Sequence, residues 1–161
     1  TLAQSVVKNS SNNRFIAESY LLIALSLAEE QKMNEAIDSL NKAIAADPGL
    51  SNLYVALAEM KIASVSPTVA GMEVFIEKGD AILAESLVLV EKAITMNSTL
   101  TSAYISKSKI LMLSDKGTEA VAVLNTALEV STRDITLGTV EKSNIKVEIE
   151  RMIKSYSAQL K

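Results

Sequence analysis

The sequence contains no cysteine and no histidine, and the two absences exclude several kinds of site. Without cysteine, no disulfide and no thiolate metal site can form, and the redox state of the compartment stays open. Without histidine, the chain lacks the commonest general base and the commonest transition-metal ligand. We therefore expect neither a metal site nor a cofactor.

Tryptophan is also absent, aromatic residues make up 4% of the chain, and there are only five glycines and two prolines in 161 residues. The composition is instead 48% hydrophobic and 22% charged, which is typical of a globular protein and not of a disordered one. It favours helices packed closely on helices, in a chain long enough for one domain with a sizeable core.

Charge and hydropathy narrow the range of partners. The net charge of −3 provides no positive field for nucleic acid. The longest uncharged apolar run, residues 19–28, is too short to span a bilayer. The chain begins at Thr1 and not at methionine, so we expect a processed or partial chain and leave an upstream signal or anchor open. A cytoplasmic location is favoured.

An internal repeat is the main feature of the sequence. Tyr20 is matched by Tyr104, and the same separation along the chain relates five further pairs. These pairs are Glu35/Glu119, Ala36/Ala120, Leu40/Leu124, Ala43/Ala127 and Ile44/Leu128. A third copy lies between them. Tyr54 follows Tyr20 at a shorter interval, and Ala93 precedes Ala127 by the same number of residues. The middle copy therefore carries extra residues between its tyrosine and its alanine.

The shorter interval is about 34 residues, which is the length of the tetratricopeptide repeat. The segment "NEAIDSLNKAIAADPG" resembles the second helix of that repeat, with its signature positions occupied by Ala36, Leu40, Ala43 and Pro48. The segment "SNLYVALAEM" resembles the first helix of the next repeat, and the resemblance covers about residues 14–132. In that family the alanines are contact points where neighbouring helices approach closely. The later copies depart from the pattern, with serine or threonine in place of proline at Ser98 and Thr132.

The resemblance implies an all-α fold, a right-handed α-solenoid of about three helix-turn-helix repeats in a single domain, residues 1–161. We expect an N-terminal segment (1–13), repeat 1 (14–50), repeat 2 (51–100), repeat 3 (101–132) and a long C-terminal capping helix (139–161).

The extra residues of the middle repeat predict an inserted helix near 66–79. Ser66-Pro67 is a helix-start signal and Gly79 a helix-stop signal. The segment forms either an additional short helix, 67–78, or an extension of the repeat's own helices.

The C-terminal helix has one apolar face at three- and four-residue spacing, formed by Ile145, Ile149, Met152, Ile153, Tyr156 and Leu160. We expect this face to cover the last repeat, which has no successor. The alternative is that it joins two copies of the chain.

The resemblance also implies a concave groove lined by the first helix of each repeat. The groove positions carried over are Glu18, Leu21, Leu22, Leu25, Asn52, Val55, Glu59, Ile62, Ile105, Lys109 and Met112. Some family members hold chaperone C-termini in a clamp of basic and amide side chains. The corresponding positions here are Leu21, Leu25, Ala56, Ser102 and Ser106, which cannot hold two carboxylates. We therefore predict no such clamp.

An apolar groove with scattered charges suits an amphipathic helix or an extended apolar peptide. We predict Leu21, Leu22, Leu25, Val55 and Ile105 as its exposed anchors. The alternative is that the chain's own residues 1–13 fill the groove.

The leading function is a protein–protein interaction module within a larger protein or complex. Two alternatives stay open. One is a self-assembling unit that forms homo-oligomers, and the other is a regulatory or sensor appendage of a multidomain enzyme or transcription regulator.

Four serine–lysine pairs have the spacing of a nucleophile and its base, but this spacing is uninformative in a helical chain. The pairs are Ser5/Lys8, Ser39/Lys42, Ser106/Lys109 and Ser143/Lys146. No glycine-rich phosphate loop occurs, and we predict no enzyme.

Overall fold

The computed structural model describes residues 2–64 and 69–160. Over these ranges the chain forms eight α-helices and no strand: α1 (Leu2–Asn9), α2 (Asn13–Glu29), α3 (Met33–Ala46), α4 (Ser51–Ser64), α5 (Val69–Met96), α6 (Thr101–Leu113), α7 (Gly117–Arg133) and α8 (Thr139–Gln159). The all-α helical-repeat fold is confirmed. The chain divides within α5 into two compact units, an N-terminal unit (Thr1–Ile82) and a C-terminal unit (Leu83–Lys161).

The core of the N-terminal unit is a cluster in which three successive helices meet. Ala17 of α2, Ala43 of α3 and Leu53 of α4 are fully buried there. Tyr20, Leu21, Ile44, Ala46 and Leu50 pack around them and are partly buried. Because two of the three central side chains are methyl groups, the helix backbones can approach closely. This explains why a helix of the repeat places alanine where a core usually has bulk.

The C-terminal unit contains an equivalent cluster, in which Leu124 and Ala127 of α7 pack with Ile105 of α6 and Ile149 of α8. Four positions of this cluster and its surroundings are repeat equivalents of positions in the N-terminal cluster. These equivalents are Tyr20/Tyr104, Leu21/Ile105, Ala43/Ala127 and Ile44/Leu128. Helix α8 therefore packs on α6 and α7 as α4 packs on α2 and α3.

Helix α8 thus takes the place that the first helix of a fourth repeat would occupy. Ile145, Met152, Ile153 and Tyr156 of its predicted apolar face join Ile149 against repeat 3. The capping helix is confirmed. Leu160, which was also predicted on this face, is 48% exposed. The rest of the face is covered by the same chain, so that part is not available to join two copies in this conformation.

In the second and third repeats, the tyrosine of the first helix is hydrogen-bonded to the loop before that helix. The Tyr54 hydroxyl donates to the Pro48 carbonyl oxygen at 3.0 Å, and the Tyr104 hydroxyl donates to the Ser98 carbonyl oxygen at 3.0 Å. The acceptor is a backbone oxygen, so the contact survives the replacement of proline by serine at position 98. A departure from the family pattern at this position therefore leaves the local geometry intact.

The insertion lengthens the second helix of the middle repeat. Helix α5 runs without a break from Val69 to Met96, so the prediction that a helix stops at Gly79 is wrong and the alternative of an extended helix holds there. A helix-stop glycine adopts positive φ, which no glycine in the described ranges does, and a glycine inside a helix costs only about 1 kcal/mol. The start signal at residues 66–67 lies outside the described residues.

Two equivalent turns, between α2 and α3 and between α6 and α7, hold a non-glycine residue in the left-handed region. Gln31 has φ 62° and Asp115 has φ 58°, and the two are repeat equivalents of each other. The amide of the next residue then donates to a carbonyl oxygen near the end of the preceding helix. The Lys32 amide donates to the Leu27 carbonyl oxygen at 2.9 Å, and the Lys116 amide donates to the Leu111 carbonyl oxygen at 2.8 Å. The turns therefore close in the same way.

Replacing Gln31 by glycine should raise the free energy of unfolding by about 0.5–1 kcal/mol. The left-handed conformation costs an L-residue about 1–2 kcal/mol, and the greater freedom of glycine in the unfolded chain offsets part of the gain. Urea unfolding measures the change. The control is Lys32→Gly, at a neighbour with φ −88°, which should gain nothing. Equal effects at both positions would contradict the assignment.

Candidate functional site

Helix α2 presents an exposed apolar surface. Asn12 begins the helix by accepting hydrogen bonds on Oδ1 from the amides of Arg14 at 3.0 Å and Phe15 at 3.3 Å. At 100° per residue, five residues then fall within about 80° of one side of the helix. We call them the α2 stripe: Phe15, Glu18, Leu22, Leu25 and Glu29. The three apolar members are 56%, 60% and 44% exposed, respectively.

The predicted anchors separate into buried and exposed residues. Leu21, Val55 and Ile105 occupy the same repeat position, and all three are wholly or partly buried. Val55 is 4% exposed and Ile105 is 7% exposed, so the prediction that they are accessible is wrong. The position faces the following helix: Ile105 lies in a cluster with Ile149 of α8, and Leu21 packs on the cluster that contains Leu53 of α4.

One residue further along the chain the copies differ, because Leu22 points outward whereas Ala56 is half-buried and Ser106 is buried. Leu22 is 60% exposed, and the position of Leu25 is exposed in all three copies, as Leu25, Glu59 and Lys109. Asn52 is also exposed, whereas the other predicted positions, Glu18, Ile62 and Met112, are half-buried. Only the first copy carries apolar side chains at these outward positions. The apolar part of the predicted surface therefore lies on α2.

A cleft adjoins the α2 stripe inside the N-terminal unit. It lies between α1 and α2, has a volume of about 330 Å³, and is open to solvent. Its walls include Ala3 and Gln4 of α1 and Leu22, Ile23 and Leu27 of α2. Leu22 belongs to both the cleft and the stripe. The predicted N-terminal segment therefore lies beside the candidate surface and leaves Leu22 and Leu25 exposed.

A second cleft, of about 540 Å³, lies in the C-terminal unit between the end of α7 and the start of α8. Ser143 and Lys146, one of the serine–lysine pairs, line it. Lys142 Nζ donates to the Thr132 carbonyl oxygen at 3.0 Å, which braces α8 against α7. In two other pairs, Ser39/Lys42 and Ser106/Lys109, the serine is buried while the lysine is exposed.

Asp134 is a buried carboxylate that sequence reasoning missed. Its Oδ2 accepts the Thr101 amide at 2.8 Å, and its Oδ1 accepts the Thr136 amide at 3.0 Å and the Thr136 hydroxyl at 2.6 Å. It thereby supplies a cap for α6, whose own N-cap residue Leu100 has no capping side chain. Burial acts to raise the pKa of Asp134, but the hydrogen bonds from Thr136 and Thr101 outweigh it, so the pKa is lowered.

A signal for this residue exists in the repeat. Asp47 and Asn97, at the ends of the two earlier second helices, accept on Oδ1 from the amide two residues on, as Asp134 does from Thr136. The second helix of the third copy, α7, ends about one turn later than the repeat spacing predicts. A strictly periodic alignment therefore does not place Asp134 opposite Asp47 and Asn97.

Comparisons with known proteins support the fold. The family model described as tetratricopeptide repeat matches residues 17–50, which contain α3 and most of α2. Residues 17–50 are therefore a tetratricopeptide repeat. A comparison with curated protein sequences gives no match.

Three solved structures illustrate the likeness. The translocator chaperone SycD of Yersinia enterocolitica type III secretion, in an alternative dimer, has a TM-score of 0.70 at 12% identity, over 90% of this chain and 94% of that one. SycD in complex with a peptide of the translocator YopD has a TM-score of 0.65 at 12% identity, over 89% of this chain and 94% of that one. The TPR2B domain of yeast Sti1 in a pHsp70 complex has a TM-score of 0.65 at 17% identity, over 89% of this chain and 97% of that one.

Over the ranges that the structure describes, no helix combines the length and the apolar character needed to cross a bilayer.

Proposed function

We propose that this domain is a protein-interaction module that binds a peptide or partner helix on the α2 stripe. The observation that carries the proposal is the exposure of Leu22 and Leu25 on a helix held rigidly by its own repeat. Large exposed side chains next to each other on a preformed surface are typical of interaction sites. Domains of the same fold support it, because the SycD structure holds a YopD peptide and the Sti1 structure is a pHsp70 complex.

The chemistry of the surface selects the mode of binding. An apolar pair on one helix suits the side chains of an amphipathic helix or an extended apolar peptide. The clamp positions carry leucine, alanine and serine, so a peptide held only by its terminal carboxylate has no charged partner at them. Binding here therefore depends on apolar contacts at Leu22 and Leu25.

Replacing Leu25 by aspartate should abolish partner capture while the domain stays folded, because 44% of the side chain is already exposed. The lower helix propensity of aspartate and its repulsion from Glu29 should lower the free energy of unfolding by about 1 kcal/mol. The tagged domain, its Leu25→Asp variant and a Val88→Asp control are used to capture proteins from a lysate of the source organism. Bound proteins are compared by quantitative mass spectrometry.

Val88 is 66% exposed in the C-terminal unit, so its variant adds the same charge to a similar surface residue elsewhere. A partner that is retained by the Val88→Asp variant and lost with Leu25→Asp supports the site. The same set of captured proteins with all three forms, after circular dichroism shows that each is folded, would contradict it.

A further inference from the structure

The candidate surface carries a chemical bias in addition to its apolar character. The cleft between α1 and α2 has apolar walls at Leu22, Ile23 and Leu27 and ends at Glu30. Glu29 lies next to Glu30 and is exposed on the α2 stripe. Two carboxylates therefore stand together at the C-terminal end of the helix that presents the leucines.

Cations in the N-terminal unit do not neutralise this end completely. Glu30 is paired with Lys32, whose Nζ lies 2.6 Å from Oε2, but both side chains are about half exposed and such a pair is weak. Glu29 makes no ion pair within the described part of the chain. At the other end of the stripe, Arg14 is bound to Glu18 at 2.9 Å. Of the residues that line the cleft in the described structure, none is basic.

The helix itself adds to the negative potential. The last carbonyl groups of α2 point toward its C-terminus, where a helix carries a partial negative charge of roughly half an electron. Glu29 and Glu30 lie at that end. An incoming cation would be attracted by both the carboxylates and the helix end, whereas an incoming carboxylate would be repelled.

We infer that the ligand of this surface is a basic amphipathic peptide. Its apolar side chains would enter the cleft beside Leu22 and contact Leu25, and a lysine or arginine next to them would meet Glu29 and Glu30. A cleft of about 330 Å³ is near the lower limit for ligand pockets and suits one or two side chains of a peptide. The inference rests on the proposed function and adds the charge of the partner to it.

Selection of peptides from a random phage-displayed library tests the inference and does not require the natural partner to be identified. The baits are the wild-type chain, the charge-reversed variant Glu29→Lys/Glu30→Lys, Leu22→Asp and the control Val88→Asp. Wild type and Val88→Asp should enrich the same peptides, with paired apolar residues and a net positive charge. The charge-reversed bait should enrich peptides of net negative charge, and Leu22→Asp should lose the wild-type set.

Synthetic copies of the enriched peptides give the quantitative readout. Binding measured by fluorescence anisotropy should weaken about threefold to tenfold between roughly 50 and 300 mM salt, because exposed charges are screened. Leu22→Gln, which adds no charge, should weaken binding in the same direction as Leu22→Asp if the leucine itself is the contact.

The outcomes separate this inference from the proposed function. Peptides that need Leu22 but are neutral or acidic, or that bind the charge-reversed variant equally well, would overturn the basic-peptide inference and leave peptide binding in place. Enrichment that does not depend on Leu22 or Leu25, or no enrichment at all with folded baits, would overturn both.

Discussion

Replacing Ile149 by alanine should lower the free energy of unfolding by about 3 kcal/mol. Ile149 is fully buried in the cluster that joins α6, α7 and α8, and the loss of a buried isoleucine side chain usually costs about 2–5 kcal/mol, including the cavity that it leaves. Urea unfolding followed by circular dichroism measures the change. Hydrogen exchange should show that the amides of α8 lose most protection, since this residue holds the helix on repeat 3.

The matched control is Val147→Ala on the same helix. Val147 is 49% exposed, so its replacement should change the unfolding free energy by less than about 0.5 kcal/mol. If the two variants were equally stable, α8 would not be packed as the next first helix, and the apolar face that it covers would be open to another chain.

Replacing Asp134 by alanine should cost about 2–3 kcal/mol. The variant loses hydrogen bonds to a charged acceptor, each worth about 1.5–3 kcal/mol before water replaces it, and leaves the Thr101 amide at the start of α6 without its cap. Asp47→Ala provides the comparison and should cost less, because this half-buried carboxylate accepts a single hydrogen bond within the described residues, from the Gly49 amide.

The lowered pKa of Asp134 also predicts a dependence on pH. Folding favours the ionised form, so this group's contribution to stability is complete above its usual pKa of 3.8. The contribution is lost as the pH falls through the lower pKa of the folded state. Urea unfolding of wild type and Asp134→Asn should therefore differ most near neutral pH and converge in acid. Parallel curves down to about pH 2 would contradict the assignment, because the other carboxylates are common to both proteins.

The repeat could be predicted from the sequence because equal spacing requires equal contacts. Tyr20 and Tyr104, or Ala43 and Ala127, recur in phase because each must meet its equivalent neighbours in the next repeat. The capping role of α8 followed from the same logic, since its apolar face needed something to cover. These inferences depend on periodicity alone and do not require the orientation of any single side chain.

The division between core and surface within one helix needed more than periodicity. Leu21 and Leu22 are chemically identical neighbours, and the packing of α3 and α4 against one side of α2 decides which one is covered. The stop predicted at Gly79 failed for a related reason: a glycine can end a helix or sit inside one, and the surrounding packing decides. Asp134 was missed because its partner Thr101 lies 33 residues away in the sequence.

The neighbouring leucines of α2 allow a direct test of the central claim, that this repeat builds its fold with one residue and binds with the next. The measurement is the free energy of unfolding, together with the Kd for a captured partner or selected peptide, of Leu21→Ala and Leu22→Ala. Leu21→Ala should destabilise the domain by about 1–2 kcal/mol and leave the Kd within about twofold. Leu22→Ala should leave stability nearly unchanged and weaken binding about tenfold or more. The reverse pattern, or two leucines with equal effects on both quantities, would contradict the account.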